Sequence, residues 1–106
     1  MVPTVLVVES YPDLRAGIVA ALQRFDFQCD AVATPGAATL KLRENDYAYV
    51  VVDVDSPECS ELVSSFGADA HVILISDDDP REARTNAFPM LRKPFSREDL
   101  MAQFRH

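Results

Sequence analysis

The sequence predicts an α/β protein: a three-layer sandwich on a five-stranded parallel sheet with helices covering both faces. Three observations carry that prediction. Short, continuous, mostly β-branched runs recur along the chain, as VLVV (Val5–Val8), VVV (Val50–Val52) and VILI (Val72–Ile75). Continuous runs, unlike alternating ones, suit strands covered on both sides. Polar stretches with helical spacing separate them, and such β-α alternation forces parallel strands joined by right-handed crossovers. Lastly, each run stops at a polar residue, Glu9, Asp53 or Ser76, where a strand leaves the core.

After the first strand, Pro12 and Asp13 place a proline and an acid in the first turn of a helix that starts after Ser10 or Tyr11. Leu14, Ile18, Leu22 and Phe25 fall at spacings of four, four and three, on one face of it. The segment Phe27–Val32 (FQCDAV) alternates and is placed at a sheet edge. Thr34-Pro35 opens a second helix carrying Ala38 and Leu42, and a third runs from about Pro57 to Phe66, stopped by Gly67. Beyond the fourth strand, Asp79-Pro80 opens a short fourth helix. Phe88–Leu91 (FPML) supplies the fifth strand, and Pro89 inside it also argues for an edge. Ser96 with Asp99 resembles a capping box for a fifth helix, whose Leu100 and Phe104 face one way.

A chain of 106 residues suffices for one domain with a real core and is too short for two, so residues 1–106 are read as a single domain without an effector domain. Apolar residues make up 48% and charged residues 25%, a globular balance that argues against disorder. The net charge of −7 speaks against direct contact with nucleic acid. MVPTVLVVES has no basic leader region, and its apolar run is too short to span a bilayer, so a cytoplasmic protein with no membrane contact is expected. Cys29 and Cys59 lack CxxC spacing and read as reduced packing residues. The run Asp77-Asp78-Asp79 reads as a solvated loop and helix cap. His71 and His106 show no partner that suggests catalysis, and the Tyr47/Tyr49 pair is read as flanking the third strand and nothing more.

Chemistry enters at the strand ends. In open parallel sheets the crevice lies at the carboxyl ends of the strands, and there the chain delivers Glu9, Asp53, Ser76 and, after the fifth strand, Arg92 and Lys93. A carboxylate can attack phosphorus and become an aspartyl phosphate. Phosphoryl transfer needs little covalent help but much charge neutralisation and positioning. Mg2+ on oxygen ligands would bridge the acids and the phosphoryl oxygens, and Lys93 would set a fixed cation against the same oxygens. Ser76 would donate a hydrogen bond made only when phosphate is present, which makes it a switch.

In this order, Glu9-Ser10 after strand one, Asp53-x-x-x-Pro57 after strand three, Ser76 after strand four and Lys93-Pro94-Phe95 after strand five resemble the response-regulator receiver domain of the chemotaxis type. The resemblance spans the whole chain. It implies the flavodoxin-like strand order 2-1-3-4-5 and a part in two-component phosphorelay signal transduction. Asp53 would accept phosphate from a sensor histidine kinase or phosphotransfer protein. Mg2+ would be held by Glu9, Asp53 and the backbone carbonyl of Asp55, with a cis Lys93–Pro94 bond beside it. The output face would be the fourth helix, fifth strand and fifth helix, serving a homodimer or a partner protein.

Three positions depart from the family pattern. Ser10 stands where the family usually has a second acid, which removes a hard ligand for magnesium. Asp77 follows Ser76 where a small residue is usual; unless its carboxylate faces away, it opposes phosphorylation. Met90 replaces the customary aromatic or His three residues before the lysine. These departures favour an alternative, a pseudo-receiver that works by protein contact without efficient phosphorylation. A third possibility is an enzyme, since Asp53-Val54-Asp55 is similar to the D-x-D of haloacid-dehalogenase-type phosphatases, in which the second Asp is a general acid. The chain offers neither the acidic strand end after Lys93 nor a cap domain, which disfavours it.

Overall fold

The structure, a computed structural model, describes residues 3–67, 69–78 and 88–104. Its elements are β1 (Thr4–Val8), α1 (Pro12–Arg24), β2 (Gln28–Val32), α2 (Pro35–Glu44), β3 (Tyr49–Asp53), α3 (Pro57–Ser64), β4 (Val72–Ser76), β5 (Met90–Arg92) and α4 (Arg97–Ala102). The strands form one sheet in the order β2-β1-β3-β4-β5, and every pairing is parallel. The predicted fold class and strand order are therefore those the chain adopts. The short fourth helix expected from Asp79-Pro80 lies outside the described residues, so α4 is the helix expected to come fifth.

Side chains alternate across the central strands and split the core into two layers. Val5, Val7, Val51, Ile73 and Ile75 pack with Ile18 and Leu22 of α1 and with Leu100 and Met101 of α4. Leu6, Val8, Val50, Val52, Val72 and Leu74 pack on the other face against Ala38 of α2 and Cys59 and Leu62 of α3. Most of these residues are fully buried, and each large apolar side chain so removed from water contributes roughly 1.5–3 kcal/mol. This two-sided burial is why the valine runs are continuous.

The helix starts rest on local hydrogen bonds. The Ala37 amide donates to Thr34 Oγ1 at 3.1 Å, and Ser96 and Asp99 form a reciprocal capping box, with Asp99 N to Ser96 Oγ at 3.0 Å and Ser96 N to Asp99 Oδ2 at 3.1 Å. Thr34→Ala is expected to cost about 1 kcal/mol, read as a lower urea midpoint with an unchanged m-value.

Three local expectations are corrected. The fifth strand is Met90–Arg92, two residues later at its start than the apolar run, because Pro89 has no N–H to give. Pro89 still serves the ladder through its carbonyl, which accepts from Leu74 N at 2.9 Å. Phe25 does not continue the buried face of α1: the helix ends at Arg24, and Phe25 is 51% exposed. The chain turns there through Asp26, whose φ of 67° is left-handed, a conformation that aspartate tolerates. Gly67 takes no positive φ, and α3 closes instead with the Ser65 amide on the carbonyls of Leu62 and Val63.

At the amino ends of the strands, Phe104 lies beside Phe27 and Tyr49, with ring centroids 5.0 and 4.7 Å away. Nearby, Tyr47 donates its phenolic hydrogen to Asp30 Oδ2 at 2.6 Å, tying the segment before β3 to the edge strand β2. Tyr47 thus does more than flank a strand. Burial and the Asp30 carboxylate both push its phenol well above the usual range.

Candidate functional site

Strand register assembles the site. Val8 of β1 sits opposite Val52 of β3, so one further residue brings Glu9 beside Asp53. Asp53 in turn pairs with Ile75, and Ser76 pairs with Arg92, which carries Ser76 and Lys93 to the same edge. The Lys93 amide extends the ladder with a 2.7 Å bond to the Ser76 carbonyl. Glu9, Asp53 and Ser76 are only 1, 7 and 2% exposed, and they are the buried polar residues among those described.

The Lys93 ammonium holds the group together. Its Nζ lies 3.2 Å from Asp53 Oδ1, 3.2 Å from Asp55 Oδ2 and 3.5 Å from Glu9 Oε1. Three carboxylates therefore share one ammonium. Burial alone would lower the Lys93 pKa, but Asp55, Asp53 and Glu9 outweigh it and raise it above the usual lysine range. The backbone bond Lys93–Pro94 is cis.

Glu9 is the strained member. Burial first, and then the Asp53 carboxyl within hydrogen-bonding reach, push its pKa above the ordinary carboxylate value. Oε2 accepts a long 3.5 Å bond from the Tyr11 amide, and Oε1 has no hydrogen-bond partner, only the ion-pair distance to Lys93. A buried carboxylate oxygen without a donor is costly, and a cation beside it would relieve that cost. The Arg15 guanidinium donates to the Glu9 carbonyl oxygen at 3.0 Å and fixes the backbone at this point.

Glu9 and Asp53 offer two hard carboxylates, which fits Mg2+: it is commonly held by one or two carboxylates and keeps several waters. Among the described residues, no group of three or more His, Cys, Asp or Glu side chains converges on a metal position. The Asp55 carboxylate is engaged by Ser76 and Lys93. Ser10 is exposed and lines an open groove of about 850 Å3 between α2 and α3, through which Asp53 is reached. Arg92, delivered to the same edge, is exposed.

Sequence reasoning missed the part played by the Asp55 carboxylate. Oδ1 accepts from Ser76 Oγ at 2.6 Å and from the Asp77 amide at 3.2 Å, while Oδ2 accepts from Asp77 N at 3.1 Å and Lys93 Nζ at 3.2 Å. Its own amide donates to Asp53 Oδ1 at 2.9 Å. Burial pushes its pKa up, but the bonds from Ser76, Lys93 and Asp77 win and the net direction is down. No spacing signalled this role, because β3 ends at Asp53 and Asp55 lies in the loop beyond it. The carboxyl of Asp77, although exposed, also faces the site. Contact with the Asp55 carboxylate raises its pKa, so two acids crowd each other there.

No family model matches the sequence, and a search of curated proteins finds no match. Solved structures do share the fold. A CheY-like response regulator receiver domain from Methylobacillus flagellatus is similar at a TM-score of 0.83 and 20% identity, over 98% of this chain and 97% of that one. The chemotaxis response regulator CheY4 of Vibrio cholerae is similar at a TM-score of 0.84 and 18% identity, over the same shares of the two chains. The response regulator TrrA from Thermotoga maritima, in complex with Mg2+ and BeF, is similar at 0.85 and 21% identity, covering 96% of both chains. The chain has the receiver-domain fold.

Proposed function

We propose that this chain is a receiver-type phosphoacceptor in two-component signalling, with Asp53 as the acceptor. The observation that carries the reading is the 3.2 Å approach of Lys93 Nζ to Asp53 Oδ1 in a hollow that also holds buried Glu9 and Ser76. The shared fold and the Mg2+ and BeF complex of TrrA support it.

In this reading an Asp53 carboxylate oxygen attacks the phosphorus of a phosphohistidine on a sensor kinase or phosphotransfer protein. The new P–O bond forms as the P–N bond breaks, and the imidazole leaves with the electron pair and takes a proton. Lys93 neutralises charge on the transferred group, and Ser76 donates to one of its oxygens. Glu9, Asp53 and the Asp55 carbonyl would hold Mg2+, which supplies charge neutralisation at the phosphoryl oxygens. The proposed compartment is the cytoplasm, where such a kinase would deliver its phosphoryl group. No helix among the described residues is long and apolar enough to cross a membrane. The fourth helix, fifth strand and fifth helix remain the proposed output face towards a second copy or a partner.

A phosphatase reading gains nothing from Asp55, because its bonds to Ser76, Lys93 and Asp77 favour the ionised form and a general acid must hold a proton. The pseudo-receiver reading gains one observation: Ser10 faces the groove where a second acid would strengthen magnesium binding. Incubation with acetyl phosphate and Mg2+, followed by intact-mass spectrometry, decides between acceptor and pseudo-receiver. One phosphoryl adduct is expected on the wild type and none on Asp53→Asn; an unmodified wild type at saturating donor rejects the acceptor role.

A further inference from the structure

We infer that the Asp55 carboxylate is a built-in occupant of the phosphoryl-oxygen site, and that its displacement gates phosphorylation of Asp53. The inference rests on the acceptor reading and concerns its regulation. A hydroxyl (Ser76), a backbone amide (Asp77) and an ammonium (Lys93) converge on this one carboxylate, at 2.6 to 3.2 Å. Ser76 and Lys93 are the groups that an incoming phosphoryl group needs, and anionic oxygens of either kind would compete for them. Ser76 has no proton to spare: its oxygen already accepts from the Asp78 amide at 3.0 Å, and its single hydrogen is committed to Asp55.

The occupant is local and tethered. The Asp55 amide is fixed on Asp53 Oδ1, so the competing carboxylate is held at high effective concentration two residues from the acceptor. Its side chain is 28% exposed, which leaves it a route to swing out into water when a phosphoryl group arrives. Until then the loop after β4 is drawn in by an internal anion. The contact that would signal phosphorylation is already made without it.

The test compares wild type, Asp55→Ala and Asp53→Asn for the rate of adduct formation with acetyl phosphate and Mg2+. Asp55→Ala is expected to acquire the phosphoryl group at least about tenfold faster, the scale of one charged hydrogen bond released, with Asp53→Asn silent. An equal or slower rate in Asp55→Ala overturns the inference and leaves the acceptor reading standing. If neither wild type nor Asp55→Ala forms an adduct, the acceptor reading fails and the gating of phosphorylation with it, and the occupancy of the anion site by Asp55 is decided separately in an Asp53→Ala background that cannot be phosphorylated at this position. There, saturable binding of inorganic phosphate on adding Asp55→Ala, seen as shifts of the Ser76, Asp77 and Lys93 amide resonances, sustains it. No difference between Asp53→Ala and the double variant overturns it. Asp55→Ser serves the same comparisons should Asp55→Ala not give a cooperative thermal transition.

Discussion

Replacing Lys93 with methionine is expected to destabilise the folded protein by about 3 kcal/mol at neutral pH, near the lower bound for breaking a buried ion pair because the hollow opens to solvent. Methionine keeps much of the apolar stem, so the loss isolates the charge. The three carboxylates of Glu9, Asp53 and Asp55 would then face one another without a cation. The pH dependence has a definite sign. The Lys93 pKa is raised on folding, so its contribution is fully present below the ordinary value of 10.5 and is lost as pH rises through the folded value. Wild type and variant therefore converge in strong alkali. They also converge in acid, where Glu9, whose pKa is raised, takes up a proton first. Urea denaturation across pH reads both limits, and a pH-independent difference would contradict the account. The variant is further expected to lose about 100-fold or more in the rate of adduct formation, the scale of removing a fixed donor from a transition state.

The second large effect has the opposite sign. Glu9→Gln is expected to stabilise the protein without divalent cations, by about 1 kcal/mol, or an increase of about 4–8 °C in Tm for a domain of this size. The amide removes a buried charge whose Oε1 has no hydrogen-bond donor, while Lys93 keeps Asp53 and Asp55 as partners. Because the folded pKa of Glu9 is raised above 4.5, the wild type loses stability as pH climbs from about 4.5 through that folded value. The gain from Glu9→Gln must grow over the same window and vanish below it. On the proposed Mg2+ site, adding Mg2+ is expected to reverse the ranking, since a ligand that binds only the folded state stabilises it in proportion to its occupancy, and the variant would lack one of the two proposed carboxylate ligands. Thermal melts with and without Mg2+ measure both; a variant that melts lower than wild type in chelator would contradict the account of Glu9.

The site was legible because parallel strands in register carry the residue after each apolar run to a common edge. Glu9, Asp53, Ser76 and Lys93 needed only that rule. The Asp55 carboxylate escaped it, and Asp77 was singled out only by its departure from the family pattern, because the direction of both is set by tertiary partners in a loop that no strand period reaches. Phe25 was misjudged for a related reason: helical spacing is informative only while the helix lasts, and Asp26 turns the chain out of it. Pro89 kept hydropathy and backbone hydrogen bonding out of step, so apolar FPML began before the strand did.

The helix α4 is a strut with unlike fastenings. On the side of its capping box the chain comes from Lys93, pinned by ionic contacts; beyond its far end Phe104 rests among aromatic rings. Acid or alkali will work the first fastening loose and spare the second, whereas cooling weakens the greasy one and leaves charge untouched. Which terminus of this helix frays first is thus chosen by the solvent.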